Sequence, residues 1–201
     1  MSRFIETIHV RDGIPRLLEY HQQRMDTTIF DIWCTKNPHN LNSLISIPIE
    51  ATVGVWKCRI VYDSTTLHIT YTPYEYKIIN SLQCVADDNI LYSYKAENRD
   101  VFTSLLQKKL MADEILIISR NMVTDTSYSN IMFFDGATWI TPTSYLLPGT
   151  KRAFLLEKKQ IFEKKISYHD IFTFEKARLL NCFCDLEFGN DILIKNIYRY
   201  M

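Results

Sequence analysis

Apolar Phe4, Ile5, Ile8 and Val10 are interspersed with polar Glu6, Thr7 and His9 along RFIETIHV, residues 3–10, which reads as a strand with a turn at Asp12 and Gly13. From residue 17 the period becomes helical. Leu17, Leu18, Met25, Ile29 and Ile32 recur at near-helical steps as far as Trp33. His21, Arg24 and Thr28 fall on the edge of that stripe, because three- and four-residue steps share a helix face. A polar connection with Asn37, Pro38 and Asn40 leads to two further strands, residues 53–62 and 66–72, joined by a turn at Asp63 and Ser64. These elements predict a small α/β unit.

A second unit begins around Leu82. Residues 90–94 form a short β-rich run, and Val101, Phe102, Leu105, Leu106 and Leu110 predict a helix over 98–111. EILIIS, residues 114–119, reads as a buried strand. Residues 130–134 and 138–141 flank Asp135 and Gly136, a strong hairpin signal. Leu147, Pro148 and Gly149 open a helix that the pattern carries to about residue 165. A short helix over 170–176 and a strand over 178–183 complete the reading. The fold class is α+β, with a small N-terminal α/β domain over 1–80 and a larger mixed α/β domain over 81–201.

Composition narrows the function. The chain has 201 residues, 47% hydrophobic and 23% charged, which fits a folded globular protein and excludes a disordered one. Lys plus Arg and Asp plus Glu both total 23, so there is no basic excess for a nucleic-acid backbone. The longest apolar runs are far too short to cross a bilayer, and Glu6, His9, Arg11 and Asp12 interrupt any signal-peptide core. Five cysteines with no CxxC pair suit free thiols in a reducing cytoplasm, and the scattered histidines suggest no metal site. Five glycines leave no Gly-rich phosphate loop.

Three segments carry candidate chemistry. In KAENR, residues 95–99, Lys95 lies at a strand end just ahead of a helix. The positive end of that helix would lower its pKa, as an imine-forming lysine needs; a solvated loop lysine is the other reading. In TDTSYSN, residues 124–130, Asp125 sits among hydroxyls. It suits a charge-assisted bond to a protonated ring nitrogen, or a polar turn that satisfies its own backbone. In LPGTKR, residues 147–152, a glycine precedes a helix start. That is a general phosphate site as well as an ordinary loop-to-helix junction. Arg24 is a second phosphate candidate, or a helix arginine that buries only its stem. Arg59, mid-strand, suits a substrate carboxylate or faces outward.

In this order the segments resemble the class IV, or fold-type IV, pyridoxal-phosphate enzymes, which include branched-chain aminotransferase, D-amino-acid aminotransferase and 4-amino-4-deoxychorismate lyase. FIETI, residues 4–8, is similar to the family's early FET strand. HQQRM, residues 21–25, is similar to H-x-x-R-L, whose arginine holds the cofactor phosphate. KAENR resembles K-x-x-N-R around the Schiff-base lysine. TDTSYSN resembles T-E-x-x-x-S-N with Asp125 in place of Glu, and LPGTKR resembles L-P-G-I-T-R. Asn181 and Cys182 stand where the family has Asn-Ser or Gly-Thr.

The resemblance implies pyridoxal 5'-phosphate in the cleft between the two domains, with Lys95 as catalytic residue. It implies cofactor contacts from Arg24, Lys95, Asp125, Asn130, Gly149, Thr150, Lys151 and Cys182. Lys151 replaces the usual threonine and Cys182 a hydroxyl. It also implies a homodimer and a small-molecule amine substrate, with no nucleic-acid or membrane partner. The chain starts almost at the FET strand, so the segment that precedes it in the family is expected to be missing. That, with Asp100 where branched-chain enzymes carry an aromatic hydroxyl, points to the lyase that forms 4-aminobenzoate and pyruvate for folate synthesis. An aminotransferase for branched-chain or D-amino acids is the alternative, and a non-catalytic relative the third reading.

Overall fold

A computed structural model describes residues 2–184, 186 and 189–200. The chain divides into two units: Met1–Tyr76 with Tyr94–Asn98, and Lys77–Ser93 with Arg99–Met201. The segment Tyr94–Asn98 therefore joins the first unit, where a single boundary at residue 80 would have left it, and Lys95, in the second. The reason is hydrogen bonding. The amide of Ile5 donates to the Lys95 carbonyl at 2.8 Å and that of Glu97 to the Arg3 carbonyl at 2.9 Å.

The first unit is a four-stranded antiparallel sheet with one long helix. β1 (Phe4–Arg11) turns at Asp12 and Gly13, both at positive φ of 49° and 75°, into β2 (Ile14–Pro15). α1 (Leu18–Trp33) follows. The polar connection contains a short helix, α2 (Leu41–Leu44), capped by the Asn40 side chain accepting from the Asn42 amide. β3 (Val55–Tyr62) and β4 (Leu67–Pro73) complete the sheet in the order β2-β1-β3-β4. β1 pairs with β3 along its length, from Phe4 opposite Tyr62 to Arg11 opposite Val55. Alternation places Phe4, Glu6, Ile8 and Val10 on one buried face. α1 buries His21, Met25, Thr28 and Ile29 at helical spacing, and Met25 and Ile29 join the core of that sheet. The stripe thus brings His21 and Arg24 over Glu6, the one acidic residue on the buried strand face.

The second unit holds two sheets. β5 (Leu82–Ala86) runs parallel to β6 (Glu114–Ser119), whose run of apolar side chains is buried on both faces. β6 turns at Arg120 and Asn121 into antiparallel β7 (Met122–Thr126). β8 (Asn130–Phe134) and β9 (Trp139–Pro142) form the expected hairpin around Asp135 and Gly136. β10 (Phe162–Lys164), β11 (Lys176–Leu180), β12 (Ile192–Leu193) and β13 (Ile197–Tyr198) complete sheets of order β10-β9-β8-β11-β12 and β13-β5-β6-β7.

Four local expectations change. Residues 90–94 are not a strand; Ile90 and Tyr92 are buried from a loop, so Lys95 lies on a loop and not at a strand end. The helix expected over 98–111 is α3 (Asp100–Leu106) followed by a 3₁₀ turn, stopped where Leu110 takes φ 54°. α4 (Thr150–Glu157) ends eight residues before position 165, because Lys159 takes φ 54° and Phe162 pairs with Ile140 of β9. The short helix expected over 170–176 is only a 3₁₀ turn, Asp170–Thr173, and β11 starts at Lys176. No helix among the described residues is long and apolar enough to cross a membrane.

Candidate active site

In the first unit, Glu6 is fully buried and accepts three hydrogen bonds. Arg24 Nε donates to Oε1 at 2.9 Å, Arg24 Nη2 donates to Oε2 at 2.5 Å, and His21 Nδ1 donates to Oε2 at 2.6 Å. Burial raises the Glu6 pKa, but the Arg24 guanidinium and the His21 bond outweigh it and hold the group at about 2. Burial also lowers the His21 pKa, helped by the positive charges of Arg24 and Lys95 and opposed by Glu6. His21 is therefore the neutral donor of the pair, and Lys95 lies within electrostatic reach of it. Glu6 grips Arg24 from two directions and fixes the guanidinium plane. Lys95 itself is half-buried on the loop fastened to β1.

Arg59 pairs with Glu97 at 3.1 Å, and Glu97 also takes Arg3 at 2.8 Å. A substrate carboxylate at Arg59 would compete with Glu97.

In the second unit, Asp125 at the end of β7 is buried. Its Oδ1 accepts from Asn130 Nδ2 at 2.7 Å, and its Oδ2 from the amides of Leu146 and Leu147, each at 3.0 Å. Burial pushes its pKa up to about 6, although these bonds and the Arg152 charge pull it down. Every bond it accepts comes from a neutral donor, and no ion pair of Asp125 is present among the described residues. A buried carboxylate bonded only by neutral donors is suited to a cationic N–H.

Gly149 caps α4 without a side-chain bond, and Thr150, buried, begins the helix. The amides of that first turn are the group an anion would take. Lys151, half-buried, sits over the Phe154 ring at 5.5 Å. Arg152 is turned inward to Glu163 and to the Pro142 carbonyl, over the Tyr145 ring at 4.1 Å. Cys182 lies in the turn after β11. Asn181 organises that turn, accepting from the Phe183 amide at 2.9 Å and donating to Ser129 Oγ at 2.6 Å. Arg99 donates to the Ser127 carbonyl and so braces the other side of the Ser127 turn.

The structure thus groups Arg24 and Lys95 in the first unit and Asp125, Asn130, Gly149, Thr150 and Lys151 in the second. Reading the motifs alone gave Glu6 and His21 no role at the site. Their signal was present, since Glu6 occupies an inward position of an alternating strand where a charge must find partners. Taken unit by unit, the chemistry of these residues suits pyridoxal phosphate: in the second unit a buried carboxylate suited to a ring N–H and a glycine-capped helix start, and in the first an arginine fixed by Glu6 and a lysine within electrostatic reach of His21. Among the described residues no group of His, Cys, Asp or Glu is arranged to hold a metal.

Comparison with known proteins agrees. The family model for amino-transferase class IV matches residues 3–185. A protein of Haemophilus influenzae with no described activity is 33% identical over 183 residues, 90% of this chain and 97% of its own. A crystal structure from Haemophilus somnus 129pt, provisionally described as a 4-amino-4-deoxychorismate lyase, superposes with a TM-score of 0.86 at 33% identity, covering 90% of this chain and 96% of its own. The pyridoxal-phosphate-bound form of a Mycobacterium tuberculosis protein described as a hypothetical aminotransferase shares the fold, with a TM-score of 0.77 at 17% identity over 95% of this chain and 80% of its own. The chain belongs to the class IV aminotransferases, a family of pyridoxal-phosphate-dependent enzymes.

Proposed function

We propose that this enzyme is a lyase that converts 4-amino-4-deoxychorismate to 4-aminobenzoate and pyruvate, supplying a folate precursor as a cytoplasmic homodimer. The observation that carries the cofactor chemistry is Asp125, a buried carboxylate bonded only by neutral donors. The lyase is preferred over the transaminase because the Haemophilus somnus protein, similar over nearly its whole length, is described as one. None of the five cysteines forms a disulfide, which suits a reducing compartment.

Pyridoxal phosphate, when bound, supplies an electron sink for the pair left as a proton departs from the amine-bearing carbon. The chain supplies the rest. Lys95 Nζ would hold the cofactor and, as a free amine, would take the proton from the amine-bearing carbon. In the first unit Arg24, its guanidinium fixed by Glu6, would take a phosphate, and in the second the first turn of α4 and Lys151 offer the same anion chemistry. Asp125 keeps the ring nitrogen protonated by presenting a negative charge to it. In the lyase the side chain leaves as pyruvate and aromatisation of the ring drives the reaction forward. Arg59 is the candidate for a substrate carboxylate, exchanging Glu97 for it.

Product analysis tests the choice. Cofactor-loaded enzyme should form 4-aminobenzoate and pyruvate from 4-amino-4-deoxychorismate and leave a panel of amino and keto acids unchanged. Keto acids from that panel, with no 4-aminobenzoate, would make the enzyme an aminotransferase.

A further inference from the structure

Asn130 Nδ2 donates to Asp125 Oδ1 at 2.7 Å and to the Leu147 carbonyl at 2.9 Å. Both protons of that amide are in use, so the side chain has one orientation, with its Oδ1 turned toward Gly149. Gly149 has φ −70°, which any residue adopts, so backbone freedom does not require glycine there. Space does require it. A Cβ at position 149 would fall deep inside van der Waals contact with Asn130 Oδ1 and 3.1 Å from Asn130 Cγ, whereas the next neighbour, Arg152 Cβ at 3.7 Å, is at ordinary contact. Asn130 is buried, and its carboxamide cannot swing aside without giving up two hydrogen bonds. The same loop donates the Leu146 and Leu147 amides to Asp125 and then enters α4 at Thr150.

We propose that Asn130 and Gly149 form one positioning device, in which the Asn130 carboxamide locks the Asp125 carboxylate to the loop entering α4 and position 149 is glycine to admit it. Asn130 is thus a positioning residue that acts through Asp125, not a cofactor ligand. One carboxamide sets the spacing between the carboxylate for the ring nitrogen and the helix start for the phosphate. The functional half of this inference rests on the reading of Asp125 as the ring-nitrogen partner; the steric half stands without it.

Two measurements test it on the full chain. The first is thermal unfolding of cofactor-free wild type, Gly149→Ala, Asn130→Ala and the double variant. Gly149→Ala should lower Tm by roughly 5 °C, as overpacking does in a chain of this size. Added to Asn130→Ala, it should lower Tm by less than about 1 °C, because the atom it strikes is gone. If Asn130→Ala does not fold, Asn130→Ser takes its place. An equal cost of Gly149→Ala in both backgrounds overturns the lock. The second uses pyridoxal phosphate labelled with ¹⁵N in the ring. In Asn130→Ala the ring nitrogen should lose its proton at lower pH than in wild type, while the cofactor dissociation constant changes less than about threefold. A large loss of affinity with an unchanged nitrogen titration makes Asn130 a ligand and overturns the positioning role. An unchanged nitrogen signal in Asp125→Asn would instead overturn the reading of Asp125 and leave the unfolding cycle to decide the lock.

Discussion

Replacing Asp125 with asparagine keeps its shape and removes a buried charge, and the structure sets the size of the effect. In the cofactor-free protein the Asp125 pKa is about 6, against an ordinary 3.8. Between those values the folded chain holds a proton that the unfolded chain has released, so protonation favours folding. The contribution is complete below about pH 3.8 and is lost as pH rises to about 6. The gap of about two pH units corresponds to roughly 3 kcal/mol. Relative to Asp125→Asn, the wild type should therefore lose roughly 3 kcal/mol of stability between about pH 4 and pH 7. Hydrogen bonds altered by the substitution shift the two curves by a pH-independent offset, so the slope of the difference isolates the carboxyl. Urea unfolding of both cofactor-free proteins at several pH values measures it. A difference that stays flat, or grows with pH, would refute the burial of an unpaired carboxyl. With cofactor bound, the ring N–H should keep Asp125 ionised and abolish this slope. Turnover of Asp125→Asn should then fall by about 100-fold or more, the usual cost of losing a preorganised charge partner. Asp125→Glu restores the residue usual in the family and should retain measurable turnover.

Arg24→Ala should weaken cofactor retention by about 10- to 150-fold, since a charged hydrogen bond contributes roughly 1.5–3 kcal/mol; equilibrium dialysis measures it, and unchanged affinity would remove Arg24 from the phosphate site. Glu6, held at about 2 against an ordinary 4.5, contributes stability that is present above about pH 4.5 and lost as pH falls toward 2. Acid unfolding in that window should be shallower in Glu6→Gln, and an identical acid limb would contradict the Glu6–Arg24 grip. Glu97→Gln removes the one negative charge that Arg59 and Arg3 share. If Arg59 receives a substrate carboxylate, KM should fall in Glu97→Gln and rise in Arg59→Ala, and an unchanged KM in both would dismiss Arg59.

The elements that fill a regular period were legible in the sequence. β1, α1, β3, β4, β6 and the hairpin of β8 and β9 all follow from alternation, helical spacing or a turn dipeptide. The errors lie where tertiary pairing overrides local pattern. Residues 158–165 have helical spacing, yet Phe162–Lys164 lies as a parallel strand beside β9, a partner more than twenty positions away. Residues 90–94 have strand composition but bury Ile90 and Tyr92 from a loop. The site shows the same division. Lys95 and Asp125 were visible by residue type and order, but the support of Arg24 by Glu6 and His21 depends on a strand and a helix meeting. The reason for glycine at 149 is likewise a side chain nineteen positions earlier, which local sequence does not reveal.

Borohydride reduction of the cofactor-loaded protein, followed by peptide mapping, tests most directly whether this chain is a pyridoxal-phosphate enzyme working through Lys95. A single modified lysine at position 95, absent in Lys95→Ala, is the expected result. A cofactor label on any other lysine, or no label in protein that retains the cofactor, would contradict it.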